Sequence, residues 1–334
     1  MTNIANKYFV ALLLPQDRSF AIDEAGIRER IRYFTSDPRF REKGALCVNP
    51  EAGEIFYMTR EEKRRVLEIV IDEANGALPI IAGTFAMTTR EVVDTASDAK
   101  AIGAQGIFVV PPGGAMDVTT CWDAVNYPEV WIEQIKAQDR VVDLPIVTHP
   151  VAPPMAPYGN GLPLQATLAT CREIPNIVGW KMTYGYDGFR IISRALKQLE
   201  RPVSVLGAVA AYFHEYRATG TFDGTASGSW NYAMEPMLDH LEAWDRGDVV
   251  EARRIWDGGL AQLHEYIFAE LSRLHVRYKV AAWMRGFVSH PFMRPPMPNP
   301  RKLEVDMIRK LYQAMGIAVI DEQDVAKVRS TLPL

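Results

Sequence analysis

The chain of 334 residues has only three cysteines, Cys47, Cys121 and Cys171, and none forms a CxxC pair. That scarcity excludes a disulfide framework and a cysteine-built zinc site. Buried, reduced thiols are the ordinary alternative. Charge of one sign is also scarce: the formal net charge is -4, which gives no basic field for a nucleic-acid partner. Long apolar runs are missing too. The N-terminal "YFVALLLP" falls far short of the ~20 residues needed to cross a bilayer. It follows a single lysine and precedes no small-residue cleavage site, so it reads as a core strand rather than a signal peptide. A cytoplasmic protein with no membrane partner is expected. No GxGxxG opens a helix, and neither GxxxxGK[ST] nor HExxH occurs, so nucleotide and zinc-protease signatures are absent. His214, His240, His264, His275 and His290 fall in helical stretches or the tail without metal-ligand spacing, and structural roles are expected for them.

What the chain does contain is an alternation of two textures. Short, uniformly apolar runs are followed by longer segments of helical period. The runs are "KYFVALLLP", "GALCVNP", "LPIIAGTF", "QGIFVVPP", "LPIVTHP", "NIVGWKMTY", "PVSVLGA" and "FDGTASGS". The second helical segment carries its own punctuation. Thr59 with Glu62 reads as a capping box, and Asn75-Gly76 as a stop. Strands apolar on both faces belong in parallel sheets. Eight βα units in series predict an α/β fold, a (β/α)8 TIM barrel over 1–248, with a C-terminal helical appendage over 249–334 packed on it. A doubly wound sheet is the alternative.

Barrels of this kind carry their active sites at the C-terminal ends of the strands. The candidate segments are therefore 49–54, 83–85, 111–114, His149, 181–184, 207–210 and 227–230. Lys181 stands out in "NIVGWKMTYG". It ends an apolar strand, and no acidic residue lies within several positions in sequence. Desolvation would lower its pKa, and a neutral amine can form a Schiff base with a carbonyl. The bland alternative is a lysine whose stem packs in the strand while its head snorkels to the rim.

"GALCVNPEAGEIFYMTREEKRRVLE", "LPIIAGTFAMTTREVVDTASDAKAIGAQGIFVVPP", "NIVGWKMTYGYDGF" and "RPPMPNP" together resemble the dihydrodipicolinate synthase and N-acetylneuraminate lyase superfamily, as a divergent member. The resemblance implies a barrel with C-terminal helices and a homo-oligomer, tetramer or dimer. It puts Lys181 at the position of the Schiff-base lysine. It implies no metal and no organic cofactor, because the iminium itself is the electron sink. Three departures accompany it. Glu51 and Ala52 occupy the positions of a Thr-Thr pair, although Gly53 and Glu54 keep the Gly-Glu that follows. His149 stands where a tyrosine acts as acid/base, a task imidazole can perform near neutral pH. "VAPPMAPYGNG" lacks a carboxylate-binding arginine and reads as a stiff, shaped loop.

The expectation is an aldolase or hydro-lyase acting on a small-molecule 2-oxo acid, with Lys181, His149 and Glu51 catalytic. Substrate contacts are expected from Ala52, Gly53, Phe85, Pro112, Tyr184, Gly207, Ser227 and Trp230. Aromatics near the strand ends favour an aromatic or weakly charged substrate. Two rivals remain: a barrel that has lost the reaction and serves as a small-molecule sensor, and an enzyme in which Lys181 only clamps an anion.

Overall fold

A computed structural model of the protein describes residues 4–112 and 122–333. Cys121, and residues 113–114 of the fourth strand end, lie outside the described residues. Eight parallel strands close into a barrel: β1 (Tyr8–Ala11), β2 (Gly44–Val48), β3 (Ile80–Gly83), β4 (Gly106–Val109), β5 (Ile146–Thr148), β8 (Ile177–Met182), β9 (Ser204–Gly207) and β10 (Gly224–Ser227). Each lies within one of the eight apolar runs. Alternate side chains point inward, where Phe9, Ala45, Cys47, Ile81, Phe108, Val147, Leu206 and Ala226 fill the interior. The other set, which includes Val10, Leu46 and Trp180, packs beneath the surrounding helices.

Those helices are α1 (Glu24–Ser36), α2 (Pro38–Lys43), α3 (Arg60–Ala74), α4 (Thr89–Ile102), α5 (Glu129–Val142), α6 (Leu164–Glu173), α7 (Tyr186–Leu196), α8 (Phe213–Ala218) and α9 (Trp230–Asp245). Sequence punctuation sets their ends. The Thr59–Glu62 capping box starts α3, and Asn75 ends it in the left-handed region at φ 43°. One glycine is sterically compelled. A Cβ on Gly83 would lie 1.9 Å from the Asn49 carbonyl oxygen, so the end of β3 can lie against the β2 loop only without a side chain.

The segment after β5 differs from a simple loop. It forms an antiparallel hairpin, β6 (Val151–Met155) and β7 (Gly159–Gly161), outside the barrel. The Tyr158 carbonyl accepts from Gly185 N, 3.3 Å away, which ties the hairpin to the loop after β8.

Beyond α9 the chain continues in α10 (Val249–Ile255), α11 (Ala261–Phe268), α12 (Leu274–Met284), α13 (Lys302–Ala314) and α14 (Glu322–Ser330). A buried ion pair joins α12 to the barrel mouth. Lys279 Nζ lies 2.6 Å from Glu54 Oε1, with the side chains 1% and 2% exposed. The Arg294 amide and the Gln16 side chain donate to the other Glu54 oxygen. Removing one partner of such a pair strands a charge, which costs about 3–5 kcal/mol. Lys279→Met should therefore lower unfolding free energy in urea by about that amount. Adding Glu54→Gln should recover much of it, because the stranded carboxylate is gone. Equal losses for the single and double variants would contradict this account.

Candidate active site

Three strand ends bring the expected catalytic groups together. Lys181 is the fifth residue of β8 and points into the barrel above Phe9, Ala11, Cys47, Phe108 and Ala226. His149 directly follows β5, with its backbone held by Val109 O and its ring stacked on Phe108 at 5.8 Å. Glu51 opens a 3-10 turn, Glu51–Gly53, directly after β2. All three are buried, between 8% and 9% exposed.

The distances are short. Glu51 Oε1 is hydrogen-bonded to His149 Nδ1. Lys181 Nζ lies 3.4 Å from the same Nδ1 and 3.9 Å from Glu51 Oε2. The ammonium position also sits 5.4 Å above the Phe108 ring. Lys181 therefore does have a counter-charge, contrary to the sequence expectation. It arrives through space, from a residue too distant in the chain for local inspection to find.

Electrostatics assign the protons. Burial alone would raise the Glu51 carboxyl, but His149 and Lys181 outweigh it and hold the group well below the usual carboxylate range. Burial pushes His149 down, Glu51 opposes that, and Lys181 adds to it, so the imidazole stays neutral at neutral pH. With Glu51 ionised and His149 neutral, Nδ1 carries the proton and donates to the carboxylate. Nε2 is then an open lone pair, buried and, among the described residues, without a hydrogen-bond partner. A carboxylate that fixes the tautomer and orientation of a histidine prepares the opposite nitrogen as a base. Burial lowers the Lys181 pKa, with Glu51 and Cys47 partly opposing. That favours the nucleophilic, neutral amine.

The remaining expected residues separate into two groups. Ala52 and Gly53 lie in the turn beside Glu51. The Gly53 amide is engaged by Pro50 O at 3.0 Å and the Glu54 amide by Glu51 O at 3.0 Å, which leaves Ala52 N–H outside the turn's own bonds. Phe85, after β3, packs edge-on against Phe56 at 4.4 Å, and Pro112 is half-buried after β4.

Tyr184, Gly207 and Trp230 face outward. Tyr184 donates to Leu162 O and accepts from Trp180 Nε1. A Cβ on Gly207 would meet Phe222 and Phe213 of the helical layer. Trp230 stacks on Tyr8 and donates to Thr225. These three are packed between barrel and helices, away from the Lys181 side of the sheet. Ser227 lies between: its hydroxyl donates to Ala208 O and contacts Ser229.

Sequence reasoning missed Phe108, the aromatic floor beneath both His149 and Lys181. It also gave His275 a structural role, although its ring feels Glu51, Lys181 and His149 electrostatically. Strand periodicity could have found Phe108. Nothing local could have found His275, which comes from α12.

The model of the dihydrodipicolinate synthetase family matches residues 5–113 and 159–315. The chain belongs to this family. It is an enzyme of the lyase class. A 4-hydroxy-tetrahydrodipicolinate synthase of Methanopyrus kandleri is 30% identical over 312 residues, 92% of this chain and 95% of that protein. Two solved structures share the fold. One is a prophage protein of the family from E. coli K12 in complex with pyruvate, with TM-score 0.80 and 18% identity, covering 95% of this chain and 100% of that one. The other is a catalytic-lysine mutant of a Ruminococcus gnavus sialic acid aldolase, with TM-score 0.76 and 18% identity, covering 98% and 100%. Between the two matched stretches lie α5, β5, His149 and most of the hairpin.

Among the described residues, no helix is long and apolar enough to cross a membrane. All six histidines have lowered pKa values, with burial first among the causes; His240 and His264 are pushed down to about 3 and His275 to about 4. In the unfolded chain each returns to ~6.5. Between about pH 4 and 6.5 the unfolded chain therefore binds more protons, and stability falls as pH falls. His240, His264 and His275 alone supply a slope of roughly 4 kcal/mol per pH unit near pH 5, at about 1.4 kcal/mol per proton. Urea unfolding at pH 7, 6 and 5 should show this collapse before the carboxylates titrate. A flat profile over that range would contradict the burial of neutral histidines.

Proposed function

We propose that this lyase works through a Schiff base between Lys181 and a 2-oxo acid, with His149 moving protons and Glu51 orienting it. The observation carrying this reading is the meeting of a buried lysine, a buried histidine and a buried glutamate at three strand ends. Two solved structures of the same fold, one in complex with pyruvate and one a catalytic-lysine mutant of a sialic acid aldolase, support it further.

The neutral amine adds to the C2 carbonyl of the substrate. The carbinolamine then loses its oxygen as water and leaves a C=N bond. The iminium acidifies C3, and His149 accepts the C3 proton to give an enamine. In the aldolase direction the enamine carbon bonds to an aldehyde carbon, whose oxygen takes a proton. In the hydro-lyase direction a C4 hydroxyl leaves as water with a proton from the acid. Water finally cleaves the C=N bond and frees Lys181. Glu51 stabilises the imidazolium each time it forms. The Ala52 amide is available to the substrate carboxylate. Glu51, turned onto His149, does not oppose that carboxylate as an isolated charge would.

The surroundings favour a substrate whose far end carries no second anion. Lys63 is engaged with Phe85 O, Lys279 with Glu54 and Arg294 with Glu62. The Phe56–Phe85 pair adds aromatic surface at the same rim.

Incubation with pyruvate and borohydride should reduce the iminium to a stable secondary amine, located at Lys181 by peptide mass. Lys181→Ala should give no adduct. No adduct on the wild-type chain with pyruvate or a set of aromatic 2-oxo acids would sink the proposal and favour the sensor alternative. The role of Glu51 has its own readout. Because Glu51 raises the pKa of the Lys181 amine as well as that of His149, Glu51→Gln should move the acidic limb of adduct formation to lower pH. It should also slow the reaction by about 100-fold or more. A slower reaction with an unmoved pH profile would reduce Glu51 to packing.

A further inference from the structure

Helix α12 lies outside the barrel strands, yet one of its faces reaches their C-terminal ends. His275, Tyr278 and Lys279 follow i, i+3, i+4 spacing and so share that face. Lys279 is anchored to Glu54, three residues from Glu51. Tyr278 lies flat over the loop after β10: a Cβ on Gly228 would come within 2.3 Å of its ring. The His275 ring is 5.9 Å from that of Tyr278, tilted by 30°. These two anchors fix the helix turn that carries His275.

His275 is half-buried, and its ring lies near enough to Glu51, Lys181 and His149 to feel their charges. Among the described residues, neither of its ring nitrogens has a hydrogen-bond partner. The Nε2 of His149 is buried and, among the described residues, also unsatisfied. Two imidazoles near Lys181 thus keep unspent hydrogen-bonding capacity, and the mechanism uses only one.

We infer that His275 is the specificity-determining residue for the distal half of the substrate, where it hydrogen-bonds an uncharged polar group such as a hydroxyl. This rests on the Schiff-base reading and deepens it. Burial pushes His275 down to about 4, with Glu51 opposing, Lys181 and His149 adding, and Glu54 opposing. A ring held neutral donates from one nitrogen and accepts at the other, so it matches a hydroxyl on either count. It supplies no positive charge for a carboxylate. The described cations at the rim are already paired, and residues 113–121 contain no lysine or arginine. A site built to hydrogen-bond a hydroxyl discriminates against analogues lacking it, because its own polar atom is then left unpaired.

The test uses pyruvate with three acceptor aldehydes of similar shape: 3-hydroxybenzaldehyde, 3-methylbenzaldehyde and 3-carboxybenzaldehyde. Pyruvate consumption gives kcat/KM for each. The wild-type chain should prefer the hydroxylated acceptor and discriminate against the anionic one. In His275→Phe the hydroxyl-over-methyl ratio should fall about tenfold, and His275→Gln should restore part of it. In His275→Arg the carboxyl-over-methyl ratio should rise. An unchanged hydroxyl-over-methyl ratio in His275→Phe, or an equal loss for all three acceptors, would overturn the assignment. Pyruvate trapping on wild-type Lys181 is run alongside. Its absence would count against the Schiff base itself, whereas trapping without the ratio change would count against His275 alone.

Discussion

Desolvation of one amine organises the mouth of this barrel. Lys181 ends a strand whose neighbours are apolar, above a floor that includes Phe108 and Phe9. An ammonium in such a place needs either a partner or the loss of its proton. The structure supplies an intermediate solution. Glu51 stands 3.9 Å away, near enough to matter and too far for a direct hydrogen bond. Its carboxylate is instead committed to His149. A tight Lys–Glu pair would hold the amine in its charged form. The interposed imidazole keeps the carboxylate occupied while sparing the amine.

That arrangement accounts for the departures from the family resemblance. A glutamate in place of a threonine, and a histidine in place of a tyrosine, look like two separate losses when taken singly. Joined by a hydrogen bond across 98 residues of sequence, they form one unit: a carboxylate–imidazole pair can hold and move a proton as a hydroxyl pair can. The two positions depend on each other. His149 without Glu51 would lose its orienting acceptor, and Glu51 without His149 would be a buried carboxylate stripped of its hydrogen-bonded partner. The second half of this pair falls in the interval between the two stretches that match the family model.

The sequence made the barrel legible because most strands are apolar on both faces and several helices carry side-chain caps, as at Asp23, Thr59 and Thr88. Lys181 was legible because charge in such a strand is conspicuous. The inward or outward facing of residues at a strand end was much harder to read. Gly207 and Trp230 sit at the right height, but Gly207 faces Phe213 and Phe222 while Trp230 stacks on Tyr8. A strand reverses facing with every residue, so being one position off moves a side chain from the mouth to the helical layer. Tyr184 illustrates the same limit: four residues beyond Trp180, it turns back to accept from that indole. The hairpin after β5 was read as a shaped loop, since two prolines and a Gly-Asn-Gly hide its strand pairing.

What no local pattern could reveal is the fourth wall. The barrel alone offers eight strand ends, all of them visible as motifs. The appendage reaches that rim by a contact between elements more than 200 residues apart in the chain, Glu54 with Lys279. Because this pair is almost fully buried, it resists sliding: displacing α12 would strand both charges at once. The same rigidity that makes the contact a stability element makes it a positioning device for the next turn of the helix, where His275 stands. Fold and specificity are thereby coupled through one ion pair, and the strand-end chemistry can stay fixed while the helix face above it varies.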